Sequence, residues 1–379
     1  MTWGMITTNY TKGEWTVTTT LSRVRKWIVL VTVGVLALTA LESPYSKSGQ
    51  VSAEMLINGA GATFPYPLYS KWFSEYAKVD PSARFNYQSI GSGGGIRQVK
   101  AGTVDFGASD AALSDEDLKQ MPRELLHIPT VAGAVVITYN LPGVGKGLKL
   151  TPDALAEVYL GQVTRWNDAK IASLNPNMNV PAQQIIVVHR SDGSGTTNIF
   201  TTYLNAISNT WATKVGKGTS VNWPVGLGGK GNEGVAGQVK QTPGAIGYVE
   251  LAYAEQNKLS YALLKNRAGR FVEPSLEATS AAVAGAIGEL VKDVRVPIVN
   301  SPAERAYPIA GLTYLLVYKA QDDQKKAASL AKFFWWAIHD GQKYAPELLY
   351  APLPPQVVKV IESTIKQITF QGKPILAAN

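Results

Sequence analysis

From Met55 onward the chain repeats one unit: a short apolar run, a glycine-rich turn and a helix-forming stretch. Met55 to Asn58 reads as a strand, followed by GAGATFP and a helix over about Pro65 to Lys78. Arg84 to Tyr87 reads as a second strand, followed by IGSGGG and a helix around Ile96 to Lys100. Val104 to Ala108 is a third short strand, ending at Ser109-Asp110. Such alternation predicts an α/β fold with mainly parallel sheets. Two β-prone runs, Ala134 to Tyr139 and Thr313 to Tyr318, bracket a long segment with its own pattern. That segment holds strands at Ile185 to Val188 and Ala245 to Val249 and a helix over about Thr196 to Ala206. A helix rich in Phe and Trp follows near Ala327 to His339. A length of 379 residues suits two domains of ordinary size.

The residues before this pattern read as an address. Trp27 to Leu41 is an uncharged run of 15 residues, and Arg23, Arg25 and Lys26 precede it. A basic patch before an apolar stretch of this length marks a secretory signal peptide. A membrane span needs about 20 residues. Ala40 and Ala53 are the candidate cleavage sites, and Ser43 to Ala53 suits a linker. The alternative is an uncleaved N-terminal membrane anchor, and in either case the bulk of the chain is expected outside the cytoplasm.

Composition narrows the chemistry. The sequence has no Cys, which excludes disulfide scaffolds, thiolate zinc sites and thiol catalysis. His127, His189 and His339 are widely separated, so no histidine metal centre is expected. The formal charge is +8, and without residues 1–53 there remain 31 basic and 26 acidic residues. These form no basic stripe, so nucleic acid is not an expected partner.

Three turns each place a small or hydroxylated residue at a predicted helix N-terminus. They are Thr63-Phe64 before Pro65, Ser92 before three glycines, and Ser194-Gly195-Thr196-Thr197. Pro suits the first helical position, and Thr63 is expected to cap that helix. Helix N-termini expose unpaired N–H donors and a positive dipole end, which suits an anion. Arg190, four residues before Ser194, can offer a forked guanidinium to an oxyanion, and Asp192 can hold it in place. Asp110 is the exception, because an ionised carboxylate only accepts hydrogen bonds. It helps an anion site only when the anion brings a proton: phosphate near neutral pH does, and sulfate does not.

Other motifs fail on inspection. In GLGGKGNEG, from Gly226 to Gly234, Lys230 is followed by Gly231 and Asn232, so no P-loop ending is present. RSDGSGT is not a nucleophile elbow, because Asp192 stands where that motif needs Gly before Ser194.

The segments GAGATFPYPLYSKW, IGSGGGIRQVKAGTVDFGASDA, HRSDGSGTTNIFTTYL, WPVGLGGKGNEG and PGAIGYVE together resemble the phosphate-binding subunit of the bacterial phosphate ABC transporter. The resemblance runs from about Asn58 into the C-terminal region and is weakest over 266–306. It implies a periplasmic binding protein-like α/β fold: two α/β domains joined by a two-crossing hinge, with the ligand cleft between them. The crossings would fall near Val131 to Ala134 and Tyr307 to Thr313. The first domain would then join 54–131 to 307–379, and the second would be 132–306. Matching the motifs places the phosphate contacts on Thr63, Phe64, Ser92, Asp110, Arg190, Ser194, Gly195 and Thr196, with Asp192 orienting Arg190. Thr63, Ser92, Ser194 and Thr196 would donate through hydroxyls, and Phe64 and Gly195 through backbone N–H. The family's usual second Ser after Ser92 is Gly93 here.

The resemblance implies capture of inorganic phosphate outside the cytoplasmic membrane and delivery to the transporter's permease subunits. It implies a periplasmic monomer without cofactor. The rival readings are a phosphatase or other phosphoryl-processing enzyme on the same anion site, a binder of another oxyanion, and an adhesive or signalling protein that kept the fold.

Overall fold

The computed structural model describes residues 54–376 in full and, before them, the backbone of two short strands. Those strands, Asn9–Thr11 and Glu14–Thr16, pair antiparallel within a unit of residues 1–50. The expected signal segment Trp27 to Leu41, the cleavage sites at Ala40 and Ala53 and the linker lie outside the described residues. Among the described residues no helix is long and apolar enough to cross a membrane.

The second unit opens with β1 (Met55–Gly61), α1 (Tyr66–Val79), β2 (Ala83–Ser89), α2 (Ser92–Ala101) and β3 (Phe106–Ser109). Then come β4 (Leu125–Tyr139), β5 (Ile186–Arg190), α3 (Gly195–Ile207), β6 (Leu227–Gly229), α4 (Gly231–Gln241), β7 (Ala245–Glu250), β8 (Ala310–Tyr318) and α5 (Gln324–Ile338). The main sheet runs β2-β1-β3-β8-β4-β7-β5-β6, with the short strand Ser260–Tyr261 also on β4.

β1 is parallel to both neighbours, β2 and β3. Parallel neighbours need a crossover, which α1 and α2 supply. α1 buries Leu68, Tyr69, Trp72 and Tyr76, a stripe at helical spacing. Its Phe73 ring stacks on Phe85 at 5.5 Å, and Phe333 of α5 lies 4.4 Å from Phe85. α2 lies against the strand backbones through Gly95. A Cβ there would sit 2.6 Å from Gly61 Cα and 2.7 Å from Ala108 O.

The expectation of mainly parallel sheets needs correction, because the spine of the molecule is antiparallel. All 15 residues of β4 are buried. From Leu125 to Ala134 it pairs antiparallel with β8, and from Val135 to Tyr139 antiparallel with β7. One strand therefore belongs to two halves of a curled sheet. Burial on both faces explains its near-continuous apolar run, which reads the same in a parallel or an antiparallel strand. A bulge between Thr313 and Tyr314 breaks the β4–β8 register, and Thr130 opposite donates to Thr313 O at 3.2 Å. Bulges redirect side chains. This one adjoins Thr313, whose hydroxyl enters the site described below.

The other half of the sheet sets β5 between β6 and β7, parallel to both. Its core is aromatic: Phe200 lies 4.5 Å from Tyr248 and 4.7 Å from Tyr159. α3 follows β5 and α4 follows β6, so two helices start at the same edge of the sheet as β5 ends.

Candidate anion-binding site

Thr63 follows β1 and is buried. It does not cap α1: Pro65 holds the cap position with no side-chain hydrogen bond. The Thr63 hydroxyl oxygen instead accepts from Asn232, from the side-chain Nδ2 at 2.8 Å and the backbone N–H at 3.2 Å. Phe64 is fully buried, and its carbonyl accepts from the Tyr350 hydroxyl at 2.7 Å.

The IGSGGG turn begins its helix earlier than expected. Ser92 is the first residue of α2, and all three glycines after it are helical. Gly91, with φ of 83°, makes the turn, and a Cβ there would lie 2.2 Å from Asp192 Oδ2. Gly93 donates its N–H to Gly193 O at 2.9 Å, and a Cβ on it would meet Gly193 Cα at 3.0 Å. The departure from the family's Ser therefore falls at a backbone-to-backbone contact. The Ser92 hydroxyl oxygen accepts from Asp110 N at 3.1 Å and Gly195 N at 3.0 Å.

Asp110 follows β3 and is 5% exposed. Its Oδ1 accepts from the Thr313 hydroxyl at 2.8 Å. Burial pushes its carboxyl up to about 7, against the opposing pull of Thr313, Arg190 and Ser92. A carboxyl held there can share a proton with a ligand near neutral pH.

Arg190 ends β5 with its side chain 1% exposed. Its Nε and Nη2 meet Asp192 Oδ1 and Oδ2 at 2.8 and 2.6 Å. Nη1 donates to Thr196 Oγ1 at 3.2 Å. Burial raises the Asp192 carboxyl, but the Arg190 hydrogen bonds and charge outweigh it and hold the group below its ordinary value. Asp192 Oδ1 also accepts from Gly231 N at 3.0 Å, tying the fork to the start of α4. Ser194 caps α3, its oxygen accepting from Thr197 N at 3.0 Å.

The structure thus joins Ser92, Asp110 and Gly195 by direct hydrogen bonds, and Arg190, Asp192 and Thr196 by a second set. Thr63 is linked to Thr196 through Asn232. Phe64 and Ser194 adjoin these groups in the chain, and their own recorded bonds go to Tyr350 and Thr197. Gly195 N–H, expected to face a ligand, donates here to Ser92. Asn232 and Thr313 were not expected. Asn232 sits in the glycine-rich GLGGKGNEG stretch, which fails as a nucleotide loop yet still opens a helix beside the anion turns. Thr313 gives no local signal, since it reaches Asp110 across 203 residues.

Together these groups form a buried guanidinium, hydroxyls converging from three turns and one carboxyl near neutrality. Such a site can hold a small oxyanion that carries a proton. Among the described residues no cluster of three or more His, Asp or Glu could hold a metal ion.

A family model described as a PBP superfamily domain matches residues 39–340. A phosphate-binding protein PstS of Xylella fastidiosa (strain 9a5c) is 48% identical over 317 residues, covering 83% of this chain and 86% of the relative. The phosphate-binding protein PstS of Haemophilus influenzae is 48% identical over 311 residues, covering 82% and 92%. The chain belongs to the PstS family. A solved phosphate-binding protein from Stenotrophomonas maltophilia has a similar fold, with a TM-score of 0.62 at 20% identity over 82% of this chain and 94% of that one. PstS is a family of binding proteins, and the phosphatase alternative finds no support at Ser194. His189 turns its Nδ1 to Arg190 O at 3.0 Å and stacks its ring on Trp223 at 4.8 Å. Among the described residues, Ser194 Oγ has its hydrogen bond with Thr197 and none with a histidine.

Proposed function

We propose that this protein captures one inorganic phosphate between its two lobes and delivers it to the permease subunits of an ABC transporter, working as a periplasmic monomer. The observation that carries the reading is the buried pairing of opposites: a cation, Arg190, and a near-neutral acid, Asp110, both lined by hydroxyl groups. The cation supplies charge for an oxyanion, and the acid supplies an acceptor for the proton that phosphate carries.

The ligand contacts are Thr63, Phe64, Ser92, Asp110, Arg190, Ser194, Gly195 and Thr196, with Asp192 holding Arg190. One lobe comprises 54–131 with 307–379, and the other 132–306. The place where β4 exchanges β8 for β7 supports this division. Binding closes the lobes by a hinge motion about Val131 to Ala134 and Tyr307 to Thr313.

The test is titration calorimetry on protein stripped of phosphate by unfolding and refolding, with small-angle scattering of both forms. One phosphate per chain and a smaller radius of gyration on saturation are expected. No heat of binding, or saturation with an unchanged profile, would contradict the reading.

A further inference from the structure

Hydrogen-bond direction around Asn232 is settled by chemistry. Its Oδ1 lies 3.0 Å from the backbone N of Glu250, a group that can only donate. The side-chain amide is therefore oriented with its NH2 toward the site. The two N–H bonds of that NH2 go to Thr63 Oγ1 at 2.8 Å and Thr196 Oγ1 at 3.2 Å. Asn232 itself is 0% exposed.

A hydroxyl oxygen has two lone pairs and one proton. Thr63 Oγ1 receives two obligate donors, Asn232 Nδ2 and Asn232 N. Thr196 Oγ1 also receives two, Asn232 Nδ2 and Arg190 Nη1. Both oxygens have their accepting capacity filled, and each keeps a proton to give. Among the described residues neither hydroxyl has a protein acceptor. Ser92 Oγ is filled in the same manner by the backbone N–H of Asp110 and Gly195, but its own proton is directed to Asp110 Oδ2 at 3.4 Å. Without the Asn232 side chain, Thr63 Oγ1 keeps the backbone N–H but loses its shorter donor, and a hydroxyl with a free lone pair can rotate to accept instead of donate. A hydroxyl that presents its lone pairs repels an anion.

Asn232 also spans the proposed cleft. Thr63 lies on the β1 side, while Asn232 and Thr196 begin α4 and α3 on the β5 side. Its bond to Thr63 therefore joins the two sides.

We propose that Asn232 is a positioning residue: it fixes the hydroxyls of Thr63 and Thr196 as donors and couples that polarity to closure of the lobes. The proposal rests on the phosphate-binding reading above, and the anion it serves is inorganic phosphate.

A double-mutant cycle tests it, with Asn232→Ala and Thr63→Val made singly and together and phosphate affinity measured by calorimetry. Hydrogen bonds to charged groups suggest that Asn232→Ala weakens binding by about tenfold or more. In the Thr63→Val background the same change is expected to cost at least about threefold less, because one of its two routes is gone. Stopped-flow kinetics should place the loss in the dissociation rate, as for a bond made on closure. A second variant, Asn232→Asp, keeps the Oδ1 acceptor for Glu250 but cannot donate when ionised, and it should lose affinity at least as strongly. Should the alanine variant fail to fold, Asn232→Ser carries the same cycle. Losses that simply multiply across the cycle, or fall on the association rate, would overturn the positioning role while leaving phosphate binding intact. A wild type that binds no phosphate would overturn the functional reading and this role with it.

Discussion

The Arg190 guanidinium and the Asp192 carboxylate meet edge to edge, Nε to Oδ1 at 2.8 Å and Nη2 to Oδ2 at 2.6 Å, with the arginine side chain 1% exposed. This leaves Nη1 as the arm reaching Thr196. The forked pairing fixes the direction of a buried charge as well as its presence. Arg190→Ala is expected to weaken phosphate binding by roughly 2–5 kcal/mol, the cost of deleting one partner of a buried charge pair. Arg190→Lys keeps the charge but loses the fork, so its affinity should fall between the two. Calorimetry on the folded variants decides; an unchanged affinity in Arg190→Ala would remove the arginine from the site.

Gly195 makes a steric prediction. A Cβ there would lie 2.5 Å from Asp110 Oδ2 and 2.5 Å from Ser92 Oγ, between the first turn of α3 and the end of β3. Gly195→Ala should therefore hold the two sides apart. Phosphate affinity is expected to drop by about 100-fold or more, the equivalent of about 3 kcal/mol, while the melting temperature without phosphate stays close to wild type. Wild-type affinity in this variant would show that the Gly195 contact with Asp110 and Ser92 is not needed for binding.

Asp110 gives a pH signature without ligand. Burial raises its carboxyl from the ordinary 3.8 to about 7. Between these values the folded protein keeps a proton that the unfolded chain has released. Stability from this group is therefore lost as pH rises through the window, at about 1.4 kcal/mol per unit. Asp110→Asn abolishes the titration. In phosphate-free urea unfolding the variant should gain on wild type from acid to neutral pH, with about 4 kcal/mol as the ceiling set by the burial of the closed lobes and a smaller gain where the open lobes admit water to Asp110. A difference that stays flat across the window would place the carboxyl at its ordinary value.

Local pattern made much of this structure legible and left specific parts hidden. The strand–turn–helix units are visible because periodicity and glycine are local signals, and β1, α1 and β2 fall within a few residues of expectation. The helix of α2 starts at Ser92, earlier than expected, because glycines read as a turn even where a helix must touch backbone. Thr63 reads as a cap because capping is local, whereas its actual partner Asn232 lies 169 residues away. The antiparallel pairing of β4 is hidden for a similar reason: a strand buried on both faces carries no alternation to reveal its neighbours. Arg190 and Asp192 were legible because the pair is separated by one residue.

The central claim is that Asp110 reads the proton that distinguishes phosphate from sulfate, and one set of competition titrations tests it directly. Phosphate and sulfate share shape and size, so pocket volume does not separate them. A buried acceptor with no proton to receive typically rejects a ligand by about 10⁴–10⁵. Phosphate and sulfate affinities are measured at fixed ionic strength and at a pH above 7, where Asp110 is ionised and phosphate still carries a proton, on wild type and on Asp110→Asn, whose amide can donate. Wild type should ignore millimolar sulfate. The variant should gain measurable sulfate affinity, with its phosphate-to-sulfate ratio falling at least about tenfold, the equivalent of ~1.4 kcal/mol. A ratio in the variant equal to that of wild type would contradict this account of the site.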